Sequence, residues 1–224
     1  HQAAISDTRV TDQEIIFKTN VNSFYNILDM IKSMNSVLVY ASSAATYGNS
    51  ISPQKIGFES PNNPYGFSKN IMDRIAIKFI HDNPDKKIIG LRYFNVYGPG
   101  EFHKGNTAST VLQFALQILS NHSPKLFRDS DKIFRDFVYI NDVITANLLA
   151  SNSTKSGIYN VGTGIPRSFQ DIADILLNEL NSNFPCEYID NPYKNNYQFH
   201  TQADISNIKK NLNYTPIWSL EDGI

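Results

Sequence analysis

Apolar residues in the first part of the chain recur at two different spacings. Over residues 19–31, Val21, Phe24, Tyr25, Ile27, Leu28 and Ile31 return every three or four positions, which predicts an amphipathic helix. The run Val37-Leu38-Val39-Tyr40-Ala41 is β-branched and continuous, with polar Ser42 and Ser43 behind it. That pattern predicts a buried strand ending in a polar loop. Pro64-Tyr65 opens a second helical stretch with Ile71, Met72, Ile75, Phe79 and Ile80 on one face, and Asn83-Pro84 closes it. Residues 87–94 read as another buried strand. Helices alternating with parallel-type strands predict βαβ units, and so a Rossmann-like α/β fold with a doubly wound parallel sheet.

After Tyr97-Gly98-Pro99-Gly100 the alternation loosens. We expect a helix near 107–119, a strand at 136–140, a helix at 141–152 and a strand at 157–161. Ser168 and Asp171 have capping-box spacing ahead of Ile172, Ile175, Leu176 and Leu180, so a further helix starts there. Residues 188–218 are polar, rich in Asn and Tyr, and show little period. The expected organisation is the carboxy-terminal part of a Rossmann domain over 1–100 and mainly a smaller substrate lobe over 101–224. Residues 136–165 are expected to return to the sheet, and the active site to lie between the two parts.

Composition narrows the function. At 41 % hydrophobic and 18 % charged residues in 224, the chain has material for a core and is not a disordered protein. Lys plus Arg 20 against Asp plus Glu 21 leaves no global basic field for nucleic acid or an anionic membrane, so any anionic ligand must be met by local groups. A single cysteine, Cys186, excludes an internal disulfide and fits a reducing cytoplasm. The five histidines have no metal-binding spacing, so no metal site is expected. No apolar run reaches the roughly 18 residues of a membrane span. The chain opens at His1 and stops at Ile224 in what reads as the start of a helix, so we expect a piece of a longer protein.

Tyr65 and Lys69 are four apart at the start of the second predicted helix and share one face. An ammonium beside a phenol favours phenolate, and a cationic cofactor ring would push the phenol further below its ordinary pKa of about 10. The spacing alone is weak, since roughly one such match is expected by chance in a chain of this composition. Its context is stronger. The strand ending at Ser42-Ser43 precedes the Tyr65 helix by about 20 residues, so Ser43 can face Tyr65 across the strand end. A hydroxyl there could hold a substrate hydroxyl or carbonyl while the phenolate takes a proton, as reversible alcohol oxidation requires.

Four segments in order carry a resemblance: Thr19-Asn20-Val21, Tyr40-Ala-Ser-Ser-Ala-Ala-Thr-Tyr-Gly48, Tyr65-Gly-Phe-Ser-Lys69 and Leu91-Arg-Tyr-Phe-Asn-Val-Tyr-Gly-Pro99. Together they resemble the extended short-chain dehydrogenase/reductases of the nucleotide-sugar branch. Phe102-His-Lys-Gly105, Ser123-Pro-Lys-Leu-Phe127, Arg135-Asp-Phe-Val-Tyr139 and Tyr197-Gln-Phe-His-Thr-Gln202 narrow it to the ADP-glyceromanno-heptose 6-epimerases, over essentially the entire chain. The resemblance implies a cytoplasmic enzyme of lipopolysaccharide core precursor synthesis that holds NADP, assembles as a homopentamer and acts on an ADP-heptose. It makes Tyr65 one acid/base, Ser43 its hydroxyl partner, Lys69 its electrostatic partner and a cofactor contact, and Lys104 a second acid/base that also touches the cofactor. Inverting an alcohol carbon through a ketone requires proton handling on both faces, so two such groups make chemical sense. Without the resemblance Lys104 reads as a solvated loop lysine.

The resemblance further assigns Gln2, Ala3, Ala4, Ile5, Ser6, Asn20 and Val96 to the cofactor. It assigns Asn95, Asn106, Gln113, Phe127, Arg128, Asp129, Ser130, Arg135 and Tyr197 to the substrate. An Arg fork suits a diphosphate, and the plainer reading of Arg135 is an ion pair with Asp136 or Asp131. The chain departs from the family at Asn106 (usually Ser), Gln113 (usually His) and Arg128-Asp129 (usually Glu-Gly). Glycine-rich phosphate-loop spacing is absent, and Gly162-Thr163-Gly164 reads as a turn, so the amino-terminal glycine-rich segment of the family is expected to be missing from this stretch. Two rivals stand beside this reading. The first is another nucleotide-sugar enzyme of the same superfamily, a 4-epimerase or a 4,6-dehydratase, of which the dehydratase wants an acidic residue after the Ser pair, where Ala44 and Ala45 stand. A non-catalytic nucleotide-sugar-binding protein would have little use for Ser43, Tyr65, Lys69 and Lys104 together.

Overall fold

The computed structural model describes residues 1–192 and 198–224. The strands are β1 (Val37–Ser43), β2 (Lys87–Tyr93), β3 (Asn95–Tyr97), β4 (Lys125–Phe127), β5 (Phe134–Tyr139), β6 (Gly157–Val161), β7 (Pro166–Ser168) and β8 (Glu187–Ile189). The helices are α1 (Gln13–Ile16), α2 (Ser23–Ser33), α3 (Pro64–Asp82), α4 (Thr110–Leu119), α5 (Ile140–Ser151), α6 (Phe169–Glu179), α7 (Ser206–Leu212) and α8 (Leu220–Gly223).

The main sheet runs β1-β2-β6, all parallel, with Ser43 opposite Tyr93 and Tyr93 opposite Val161. Alternate side chains pack into two different cores, as a doubly wound sheet requires. Leu38, Tyr40, Ile88 and Ile158 meet Phe24 and Leu28 of α2 and Met72, Ala76 and Phe79 of α3 on one face. Ile89, Leu91, Tyr159 and Val161 meet Val143, Ala146 and Ala150 of α5 on the other, with Ile208 and Leu212 of α7. A third core joins Phe114 and Ile118 of α4, Leu126, Phe137, and Ile172 and Leu176 of α6. It packs beside two small sheets, β3-β5-β7 and β4-β8.

Several predicted boundaries shift, for local reasons. The helix expected over 19–31 begins earlier, as α1, and passes through a six-residue π-helical turn, Phe17–Asn22, before α2. Apolar spacing cannot reveal such a turn, because it inserts residues without breaking the helix. The helix expected near 107–119 starts at Thr110 behind the N-cap Ser109, and 102–107 forms a separate 3₁₀ turn. The strand expected at 136–140 is β5, starting two residues earlier and pairing β3 in the second lobe rather than joining the main sheet. The unpatterned tail nevertheless holds β8 and α7. Ser168 and Asp171 do form the expected capping box. Among the described residues no helix is long and apolar enough to cross a membrane.

Candidate active site

Ser43, Tyr93 and Val161 end three adjacent parallel strands, so the carboxyl edge of the sheet is set by β1, β2 and β6. In open α/β sheets this edge is where ligands bind. Asn63 caps α3 by accepting from the Gly66 amide at 2.8 Å, and Pro64 occupies its first turn. The cap fixes where the helix starts, and therefore where Tyr65 and Lys69 leave it.

The phenol of Tyr65 is buried, and the Ser43 hydroxyl acts on it from the end of β1. Ser43 Oγ also accepts from the Ala45 amide at 3.1 Å, which holds the hydroxyl at the strand end. The Lys69 ammonium is 2 % exposed, donates to the Ala41 carbonyl at 2.8 Å and lies 6.0 Å from the Tyr65 ring centroid. Thus three of the four predicted catalytic residues are brought together. The expectation of a phenol held below its ordinary value is corrected for the protein alone. Burial pushes the Tyr65 pKa up, the Ser43 hydrogen bond only partly offsetting it. Burial also lowers Lys69 to about 8, against the opposing pull of Asp73. The lysine is aimed at a strand carbonyl, and burial is the largest influence on both groups.

Lys104 lies exposed in the 3₁₀ turn Phe102–Thr107, with Nζ 3.5 Å from Glu101 Oε2. Glu101 is buried and accepts from the Gly98 amide at 3.2 Å, the Ser109 amide at 2.8 Å and the Ser109 hydroxyl at 2.8 Å. Sequence reasoning passed over this residue, which ties both ends of the Lys104 turn together. An acid followed eight positions later by the Ser that caps the next helix was the available signal.

On the cofactor side, Asn20 sits within the π-helical turn, fully buried. Its side chain accepts from the Ile5 amide at 2.8 Å and donates to the Ile5 carbonyl and Ser68 Oγ, each at 3.1 Å. The 1–6 segment runs beside β1, where His1 exchanges hydrogen bonds with Val39 and Ala41. Gln2 reaches the Tyr93 hydroxyl at 3.1 Å, Ala3 and Ser6 are exposed, and Ala4 and Val96 are half-buried. Gln2 thus reaches the residue that ends β2, and Asn20 reaches the helix that carries Tyr65 and Lys69. A buried ammonium, a phenol and exposed backbone beside them are a donor set that fits ribose hydroxyls and a carboxamide.

On the substrate side, Gln113, Phe127 and Ser130 line one cavity of about 160 Å³ with Phe114, Ile133 and Phe169. Arg135 is buried, its guanidinium 5.5 Å from the Phe169 ring centre. The plainer reading, an ion pair with Asp136 or Asp131, is not what forms. Asp136 accepts instead from the Thr163, Gly164 and Ala203 amides at 2.7 to 2.9 Å, which fixes the Gly162-Thr163-Gly164 turn. Arg128 pairs with Asp190 at 3.1 Å and Asp129, at φ 62°, with Lys132 at 2.8 Å. Asn95 and Asn106 are exposed, and Tyr197 lies outside the described residues. A wider cavity, about 630 Å³, opens at the amino ends of β2 and β6 and gathers none of the candidate residues.

The NAD dependent epimerase/dehydratase family model matches residues 1–162. The chain belongs to that family. Among solved structures, this family member is similar to ADP-L-glycero-D-manno-heptose-6-epimerase of Helicobacter pylori at 47 % identity and a TM-score of 0.91, covering 100 % of this chain and 68 % of that one. It is similar to UDP-N-acetylglucosamine 4-epimerase of Methanobrevibacter ruminantium at 26 % identity and a TM-score of 0.89, covering 99 % and 73 %. It is equally similar to UDP-glucose 4-epimerase of Thermotoga maritima, at 26 % identity and 0.89, covering 99 % and 72 %. The epimerase family and these neighbours put the chain among epimerases with a Rossmann-like fold.

Proposed function

We propose that this epimerase inverts C6'' of an ADP-glycero-manno-heptose, with NADP as its nicotinamide cofactor, in the cytoplasm and as a homo-oligomer serving lipopolysaccharide core synthesis. The observation that carries the substrate is the 47 % identity to the Helicobacter pylori enzyme along the full chain, against 26 % for the two 4-epimerases. The observation that carries the chemistry is Ser43, Tyr65 and Lys69 meeting at the carboxyl edge of the sheet.

When bound, the nicotinamide ring supplies reversible hydride acceptance beside the substrate carbon. Tyr65 takes the hydroxyl proton as the carbon is oxidised and returns one on re-reduction. Ser43 holds that oxygen by a hydrogen bond. Lys69 binds ribose hydroxyls and, as a cation, favours the phenolate. Lys104 handles the proton when the ketone presents its other face. Arg135 is the diphosphate ligand, and the cavity of Gln113, Phe127 and Ser130 takes the adenine side, with Asn95, Asn106, Arg128, Asp129 and Tyr197 around the sugar and nucleotide.

The test is to follow loss of the substrate 6''-epimer by NMR with the full-length protein and ADP-D-glycero-D-manno-heptose. Wild type should reach an epimer mixture and Tyr65→Phe should lose at least about a hundredfold in kcat. Turnover of UDP-hexoses in preference to the ADP-heptose would replace the substrate, and an unimpaired Tyr65→Phe would remove the mechanism.

A further inference from the structure

Beneath the Ser43 and Tyr65 pair lies a buried charged network that the chemistry above does not use. Asp73 stands four residues after Lys69, as Lys69 stands four after Tyr65, so the three share one face of α3. Its carboxylate is 1 % exposed. Oδ1 accepts from the Tyr40 hydroxyl at 2.7 Å, and Oδ2 from the Ser42 hydroxyl at 2.9 Å and Arg92 Nε at 2.8 Å. Arg92, 2 % exposed, continues to Glu59 at 2.5 Å and lies 4.9 Å from the Tyr47 ring centre. Ser42 is flanked on β1 by Ala41, whose carbonyl holds Lys69, and by Ser43, which holds Tyr65.

We propose that Asp73 is a positioning residue of the catalytic pair: it locks the end of β1 to α3 and keeps the buried Lys69 amine charged, with Arg92 setting how strongly it does so. The inference rests on the reading of Tyr65 and Lys69 as catalytic. A lone buried carboxylate and arginine pair does not by itself indicate function, because such pairs gain little stability over apolar packing. Here the network holds Tyr40 and Ser42, the residues on either side of Ala41, and Ser42 also directly precedes Ser43. The charged and titratable groups facing Lys69 are Tyr65 and Asp73 from its own helix and the His1 amino group beside β1. Arg92 from β2, bound to Asp73, is the next, and Glu59 stands beyond it. Asp73 is the anion of that set that raises the Lys69 pKa, while burial lowers it to about 8.

A neutral Lys69 cannot favour the phenolate, so kcat should fall as pH rises through the Lys69 pKa. Asp73→Asn is isosteric and removes the anion, so this alkaline limb should move down by about one pH unit. At pH 8.5 kcat should drop about tenfold, with KM for the nucleotide sugar within about twofold of wild type. Arg92→Gln removes the cation that holds the buried Asp73 carboxyl ionised and should move the limb down as well. A role in folding alone would lower both activities without displacing the limb. The measurement is kcat against pH for the full-length holoenzyme, with folding checked by circular dichroism, and either variant that folds is sufficient. A downward displacement in every variant that folds supports the inference. An unmoved limb or an upward displacement overturns it. Tyr65→Phe and Lys69→Arg run in parallel separate the failures. If both retain wild-type turnover, the catalytic reading falls and takes this inference with it. If both are impaired while the limb stays put in the Asp73 and Arg92 variants, only the role of Asp73 falls.

Discussion

A Cβ added to Gly66 would stand 2.3 Å from the carbonyl oxygen of Ala45, which is backbone and has nowhere to go. The glycine after Tyr65 is therefore what lets the first turn of α3 press against the turn that follows Ser43. Gly66→Ala must push the two apart by about an ångström or more, at a cost of about 1–3 kcal/mol. We expect kcat to fall by about a hundredfold, because Tyr65 and Ser43 lose their mutual placement, and urea unfolding to show the matching loss of stability. A Gly66→Ala protein of undiminished kcat would mean the close approach is irrelevant to the chemistry.

Lys69 should cost stability where it serves function. Its pKa falls from 10.5 unfolded to about 8 folded, so the unfolded chain binds more protons between those values and stability rises with pH across that window. Below about pH 8 the penalty is fully present, on the order of 3 kcal/mol from the shift, less about 1 for the hydrogen bond to Ala41. Lys69→Met is expected to raise the Tm at pH 7 and abolish turnover, with the gain in Tm fading toward pH 10.5. Thermal melts of both proteins from pH 7 to 10.5 check it. A constant difference across that range contradicts a buried, depressed amine.

Glu101 closes the turn that carries Lys104 through three hydrogen bonds to Gly98 and Ser109. Glu101→Ala leaves those donors without their partner at a cost of about 2 kcal/mol. Hydrogen exchange should speed up across 102–109 while α3 stays protected. Lys104→Met should impair turnover with the fold and this protection pattern intact. Equal exchange in Glu101→Ala and wild type would show that the turn holds itself.

Asn20 should matter far beyond its own helix. Asn20→Ala removes three hydrogen bonds to Ile5 and Ser68 and should destabilise by about 2–3 kcal/mol. Limited proteolysis near residues 2–8 should accelerate, and the KM for the nicotinamide cofactor should rise at least tenfold. An unchanged cleavage pattern there would dissociate Asn20 from the amino-terminal segment.

The cavity of Gln113, Phe127 and Ser130 offers a cleaner test of nucleotide placement. Ser130 is 1 % exposed and Phe127 flanks it, so Ser130→Leu fills the space without touching Tyr65 or Lys69. The expected result is a KM for the ADP-sugar raised by tenfold or more at nearly constant kcat, read from initial rates. A fall in kcat alone would place the nucleotide elsewhere.

The fold was legible in the sequence because burial on a parallel sheet writes itself into local pattern. The runs Val37–Ser43 and Lys87–Tyr93 are apolar on both faces, and α3 is bracketed by Asn63-Pro64 and Asn83-Pro84. The pairing of Tyr65 with Lys69 was equally local, one helical turn of spacing. The same periodicity could have led further. Arg92 interrupts an apolar strand, a charge that must find a partner, and Asp73 continues the four-residue series of α3.

The sequence alone therefore determined the order of β1, α3, β2, α4, β5, α5, β6 and α6 and the candidate residue types of the site, since these depend on contacts a few positions apart. Only the tertiary structure decided which groups are dry and what each then bonds. Lys69 turns to Ala41, burial lifts the Tyr65 phenol rather than lowering it, Glu101 holds the Lys104 turn, and Asp136 pins a turn instead of pairing with Arg135. Desolvation and hydrogen-bond partnership are set by residues tens of positions apart brought into contact, and no local pattern records them.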